Sequence, residues 1–142
     1  MRVRKSIVAA GAAVVLGTTG ALALPAVASA HNASTTLKFT AVTKASVKFS
    51  STNFGLQETD ISAGKTIGFD DVNIKGTMSS STASVALDIK GGFLYGVVTS
   101  TNGGKTFTGK VTGGTGTYKG ATGTITGKAI TSNKTAVTIV YS

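Results

Sequence analysis

From residue 36 onward, apolar and polar positions alternate with a period of two. In TTLKFTAV, Leu37, Phe39 and Ala41 fall on one face and Thr36, Lys38 and Thr40 on the other. The pattern returns at Val47 and Phe49, at Ile67 and Phe69, and then, after a change of register, at Val72, Ile74, Gly76 and Met78. It continues through Val85, Leu87 and Ile89, through Phe93, Tyr95 and Val97, and through Phe107, Gly109 and Val111. GTITGKAI and TAVTIVYS close the chain, the latter with Val137, Ile139 and Tyr141 in line. Strict alternation in Thr- and Val-rich runs predicts half-buried antiparallel strands. Turn signals separate the runs at Ala63-Gly64-Lys65, Gly91-Gly92, Asn102-Gly103-Gly104, Gly113-Gly114 and Ser132-Asn133-Lys134. No segment after residue 30 carries a helical period over ten or more residues. The expected fold is all-β, about eight strands in one domain, closed as a barrel or packed as a sandwich so that no edge stays open.

The first thirty residues break this pattern. Arg2, Arg4 and Lys5 precede an Ala/Val/Leu-rich run from Ile7 to Leu24, and Pro25 precedes Ala28-Ser29-Ala30. This is the layout of a secretory signal peptide with an Ala-x-Ala cleavage site. The expected organisation is therefore a signal peptide at 1–30, a loose arm at 31–36 and a single β-domain at 37–142. The expected location is extracellular, with no membrane anchor after cleavage. Gly11, Gly17, Thr18, Thr19 and Gly20 make the run weakly apolar for a stable span.

Composition narrows the chemistry. Without cysteine the domain relies on packing, and with one histidine it lacks the usual Cys/His zinc sets. Setting aside the three leader cations leaves 11 basic residues, all lysine, against 5 acids, a net charge of about +6. Such a surface suits an anionic cell-wall polymer. The lysines are never adjacent and no arginine fork accompanies them, so specific nucleic-acid recognition is not expected.

The glycine-rich stretch TGGTGTYKGATGTITGKA, 112–129, fails both nucleotide templates. Lys119 stands where a dinucleotide fingerprint needs its third glycine. Gly64-Lys65-Thr66 and Gly104-Lys105-Thr106 lack the upstream glycine of a phosphate loop, having Thr59 and Thr99 there. The segment from Asp71 has Lys75 and Thr82 where a calcium loop needs oxygen ligands. His31 has no second imidazole for a copper site or a catalytic triad. Among the carboxylates, Asp70 and Asp71 are adjacent and point to opposite faces of a strand. Glu58 and Asp60 are two apart and share a face if extended, which makes them the candidate acid–base pair. Asp88 and Lys90 could line a polar interior, although the face opposite Leu87 and Ile89 more commonly meets water.

The run VTGGTGTYKGATGTITG, Val111 to Gly127, resembles the G-G-T-G-x-[YF]-x-G-A-x-G-x signature of the allene oxide cyclase barrel and dirigent-like superfamily. SAGKTIGFDD, 62–71, is similar to that family's shorter G-K-x-x-G segment, and the resemblance covers about residues 47–130. It implies an eight-stranded antiparallel β-barrel with a hydrophobic central cavity, assembled as a homotrimer. The motif residues Gly113, Gly114, Thr115, Gly116, Tyr118, Gly120, Ala121 and Gly123 would have an architectural role. Gly113 to Gly116 would form a tight turn, Tyr118 would pack, and Gly120 and Gly123 would admit a neighbouring strand or ring. Plant members cyclise an unsaturated epoxide or orient phenoxy radicals. The chain after the leader has no arginine for the dirigent chemistry, and Glu58 does not align to the cyclase glutamate, so no catalytic role is carried over. The leading expectation is a cofactor-free barrel that binds or orients a small apolar molecule, or serves as an extracellular module. The alternatives are a cofactor-free isomerase or cyclase, with Glu58 or Asp60 as base and Tyr95 or Tyr118 as donor, and adhesion to wall polymer through the lysines.

Overall fold

The computed structural model describes residues 33–77 and 79–142; the signal peptide read at 1–30 and His31 lie outside the described residues. Eight strands follow in order: β1 (Thr35–Ser50), β2 (Asn53–Ser62), β3 (Lys65–Gly76), β4 (Ser81–Ile89), β5 (Gly92–Ser100), β6 (Thr106–Gly114), β7 (Gly123–Thr131) and β8 (Lys134–Tyr141). Each pairs antiparallel with its neighbour in sequence, and β8 pairs with β1 to close the barrel. Closure removes every sheet edge, so it is a barrel and not a sandwich that resolves the edge problem.

Inward columns of alternating residues fill the barrel. Phe39 stands opposite Val137, Leu87 opposite Leu94, and Ile125 opposite Ile139, all buried. Leu37, Val72, Ile74, Val85, Phe107 and Tyr141 pack against this core while staying partly exposed. The eleven lysines among the described residues are all exposed, so none of them points into the interior. One end of the barrel is covered by the segment between β6 and β7, which contains a single 3-10 turn at Gly116–Tyr118. Ala121 of that segment joins the core, and Tyr118 packs edge-on against Tyr141 with ring centroids 5.7 Å apart.

Several expectations are corrected. Val47 and Phe49 do not form a separate second strand. They continue β1 past a bulge between Thr43 and Ala45, and both are exposed. The second strand is instead the polar run Asn53–Ser62. Thr35 and Thr36, read as part of the arm, pair with Tyr141 and Val140. Gly113-Gly114 ends β6 rather than forming a turn. In β3 an irregularity beside Ile67 shifts the register, so Phe69 turns outward at 58% exposure and Asp70 turns inward. In β5 the column Phe93, Tyr95 and Val97 faces out, and Leu94, Gly96 and Val98 face the core. Both columns of β5 are apolar, so periodicity alone could not choose between them.

Candidate functional site

The barrel encloses a cavity of about 190 Å³. Phe39, Val72, Val85, Leu87, Val98, Phe107, Ile125 and Val137 supply its apolar walls. Ile74, Ser81, Ser100, Gly104 and Thr135 line it toward the end that carries the β3–β4, β5–β6 and β7–β8 turns, away from the end covered by the Tyr118 segment. Ser100 Oγ accepts the backbone N–H of Gly104 at 3.1 Å, which ties the β5–β6 turn to that rim.

Against this apolar lining stand two carboxyl groups, Glu58 on β2 and Asp70 on β3. They are direct cross-strand partners, a separation at which side chains on one face touch. Thr43 Oγ1 donates to Glu58 Oε1 at 2.6 Å. Asp60, two residues along β2 on the same inward face, is fully buried, and neither of its carboxyl oxygens has a hydrogen-bond partner among the described residues. Asp70 is 6% exposed, and its Oδ1 is likewise unpartnered.

Electrostatics follow from that placement. Burial, with the charge of Glu58 adding to it, pushes the Asp60 carboxyl up to about 7. Burial also raises Asp70, to about 8, helped by the charges of Asp60 and Glu58, by its hydrogen bond with Glu58 and by the charge of Asp71. Desolvation disfavours an ionised carboxylate, and like charges that share a site disfavour it further. At neutral pH Asp70 therefore keeps its proton, beside Glu58. The wall thus holds a protonated carboxyl beside a second carboxyl. Among the described residues no group of three His, Cys, Asp or Glu side chains is arranged to hold a metal ion.

Glu58 and Asp60 share the inward face, but the proposed tyrosine donors do not join them. Tyr95 is on the outer wall at 38% exposure, stacked on Phe93 with centroids 6.2 Å apart. Tyr118 covers the barrel end, where its hydroxyl donates to the Lys90 carbonyl at 2.9 Å. Asp88 and Lys90 are both exposed and line no interior. The residue missed was Asp70. The parity of Val72 and Ile74, both inward, already places Asp70 on their face, and the signal was masked by following Phe69 across the register change.

The glycine-rich motif builds the covered end. Gly116 has φ +57°, and a Cβ there would collide with the Gly91 carbonyl, so only glycine lets the turn lie against the β4–β5 connection. Thr115 N–H and Thr117 N–H donate to the Phe93 and Gly91 carbonyls at 2.8 and 3.0 Å. Gly123 lies against the β8 backbone at Val140, as expected of a close approach. Gly120 does not: nothing lies near it, and its positive φ of 78° is what suits glycine.

No family model matches the chain, and no curated protein sequence matches it. Among solved structures, the chain is similar to pyocyanin demethylase, with a TM-score of 0.68 at 16% identity, over 76% of this chain and 100% of that one. At that identity the likeness is one of fold: a closed, eight-stranded antiparallel β-barrel.

Proposed function

We propose that this protein is an exported barrel that takes up a small apolar molecule in its interior, with one polar group of that molecule resting on Glu58 and Asp70. The observation that carries this reading is the cavity itself: apolar walls, one covered end, and a carboxyl pair on the wall with hydroxyl groups only toward the opposite rim. A pocket of this kind, mostly apolar with a few convergent polar groups, suits ligand handling. Its volume suits a single ring with a short substituent, since a dry cavity of roughly 150 Å³ holds benzene. The leader-like N-terminus supports export. The glycine motif supports kinship with the allene oxide cyclase and dirigent-like barrels.

The cavity reading is tested with toluene as the probe. Toluene should raise the melting temperature of the protein and shift the methyl resonances of Val85, Leu87 and Val98. Val98→Phe fills the space and should abolish both effects. A wild-type protein indifferent to toluene and to other single-ring compounds overturns the reading.

The paired carboxyl groups favour a second reading, a cofactor-free isomerase in the same cavity. A carboxyl raised by burial beside a second carboxyl is a layout that acid–base chemistry can use, and the scaffold also serves an enzyme, pyocyanin demethylase. In this version Asp70, not a tyrosine, is the donor. A substrate turned over equally fast by Asp70→Asn and by wild type would remove it.

A further inference from the structure

The walls of the cavity carry acid and no base. Glu58 and Asp70 line it, and Asp60 lies behind them, fully buried. The neighbouring strands turn no cation into the cavity; Lys44 lies with Glu58 and Asp70 along a separate groove at the surface and does not line the interior. On β1 the inward residue is Thr43, and Lys44 is exposed. On β3 and β4 the remaining charges are Lys65, Asp71, Lys75 and Asp88, all exposed, so neither strand turns a cation inward. Asp70 Oδ1 is buried on the cavity wall without a partner. An unpartnered carboxyl oxygen in an apolar pocket is costly, and a positively charged or donor group of a ligand would relieve that cost.

We propose that the molecule taken up is a small, flat organic cation, seated with its ring between Leu87, Val98 and Phe107 and its positive charge against Glu58 and Asp70. The proposal rests on the cavity being a ligand site and adds the ligand's class. It excludes anions: a carboxylate in this cavity would face two acids and no lysine. Aromatic and aliphatic walls supply affinity through area, and the acid pair supplies selection by charge. Binding a permanent cation favours the ionised form of the pair, so Asp70 releases its proton on binding. Affinity therefore rises with pH through the range in which Asp70 titrates, near 8.

The test compares three probes of similar size on the full protein by calorimetry and methyl NMR: N-methylpyridinium, its neutral isostere toluene, and benzoate. N-methylpyridinium should bind at least about tenfold tighter than toluene at about pH 9, and its Kd should weaken about tenfold or more on going to about pH 6. Toluene should show no such slope, and benzoate should not bind. Asp70→Asn and Glu58→Gln, each isosteric, should erase the preference for the cation over toluene and the pH dependence of cation binding. Toluene occupancy with N-methylpyridinium no tighter at any pH overturns the cation assignment and leaves the cavity reading standing, as does competition by benzoate. If none of the probes binds the wild-type protein, both are overturned. Should one of the variants fail to fold, the pH dependence of wild-type binding decides alone.

Discussion

Replacing Asp60 by asparagine should make the protein more stable as pH rises, and the size of the gain follows from burial. Asp60 is fully buried and neither oxygen has a hydrogen-bond partner among the described residues, so the amide gives up no existing bond. Its carboxyl is raised from 3.8 to about 7 in the folded state. The folded protein therefore holds a proton that the unfolded chain releases near pH 4. A raised carboxyl contributes stability that is fully present below its unfolded value and is lost as pH climbs through the folded one. At roughly 1.4 kcal/mol per unit, Asp60 accounts for on the order of 4 kcal/mol between about pH 4 and the alkaline side of neutrality. Asp70, raised to about 8, adds a loss in the same direction, complete only above that pH. Against a typical total of 5–15 kcal/mol for a domain, this is a large share.

The assay is urea unfolding at intervals from about pH 4 to about pH 9, with the m-value checked for constancy. Wild type should lose stability across the series, most steeply between about pH 5 and about pH 7, where both aspartates are protonated in the folded state only. Asp60→Asn should match wild type within about 1 kcal/mol near pH 4 and exceed it by several kcal/mol near pH 9. Curves that run parallel at every pH would show that Asp60 does not titrate differently on folding, and the electrostatic account of the site would fall with them.

Gly127→Ala should destabilise by about 1–3 kcal/mol, because the new methyl meets the Phe107 ring that lies over Gly127 across the β6–β7 pair; urea midpoints measure it, and an unchanged midpoint would mean the ring moves freely. Tyr118→Phe removes one hydrogen bond, to Lys90 O, and keeps the edge contact to Tyr141, so the loss should be only about 1 kcal/mol. A collapse of the fold in that variant would show that the covered end depends on the hydroxyl. Retention on an anionic polymer such as polyphosphate should fall steeply as salt rises, since every lysine among the described residues is exposed and isolated exposed charges are screened; retention that survives high salt would point to a specific site.

Most strands were legible because one inward column is apolar and the turns after β2, β4, β5 and β7 carry glycine or asparagine. The start of β1 and all of β4, β6 and β8 needed nothing more: Phe39, Leu87, Val111 and Ile139 lie in the core on the face their alternation indicates. Alternation misled at the far end of β1 and on β5, where the apolar columns of Val47 and Phe49 and of Phe93, Tyr95 and Val97 face outward, and it misled again on the two strands that build the site. β2 reads as polar because two of its inward residues are Glu58 and Asp60, so the residues that give the cavity its charge are also those that hide the strand. In β3 the irregularity beside Ile67 swaps the faces, and it brings Asp70 rather than Phe69 opposite Glu58. A carboxyl pair in an apolar barrel costs stability, and a sequence shaped only by folding would put valine or leucine at these positions. Three inward acids on adjacent strands, with no inward lysine to offset them, are better explained by what the cavity must hold than by what keeps it folded.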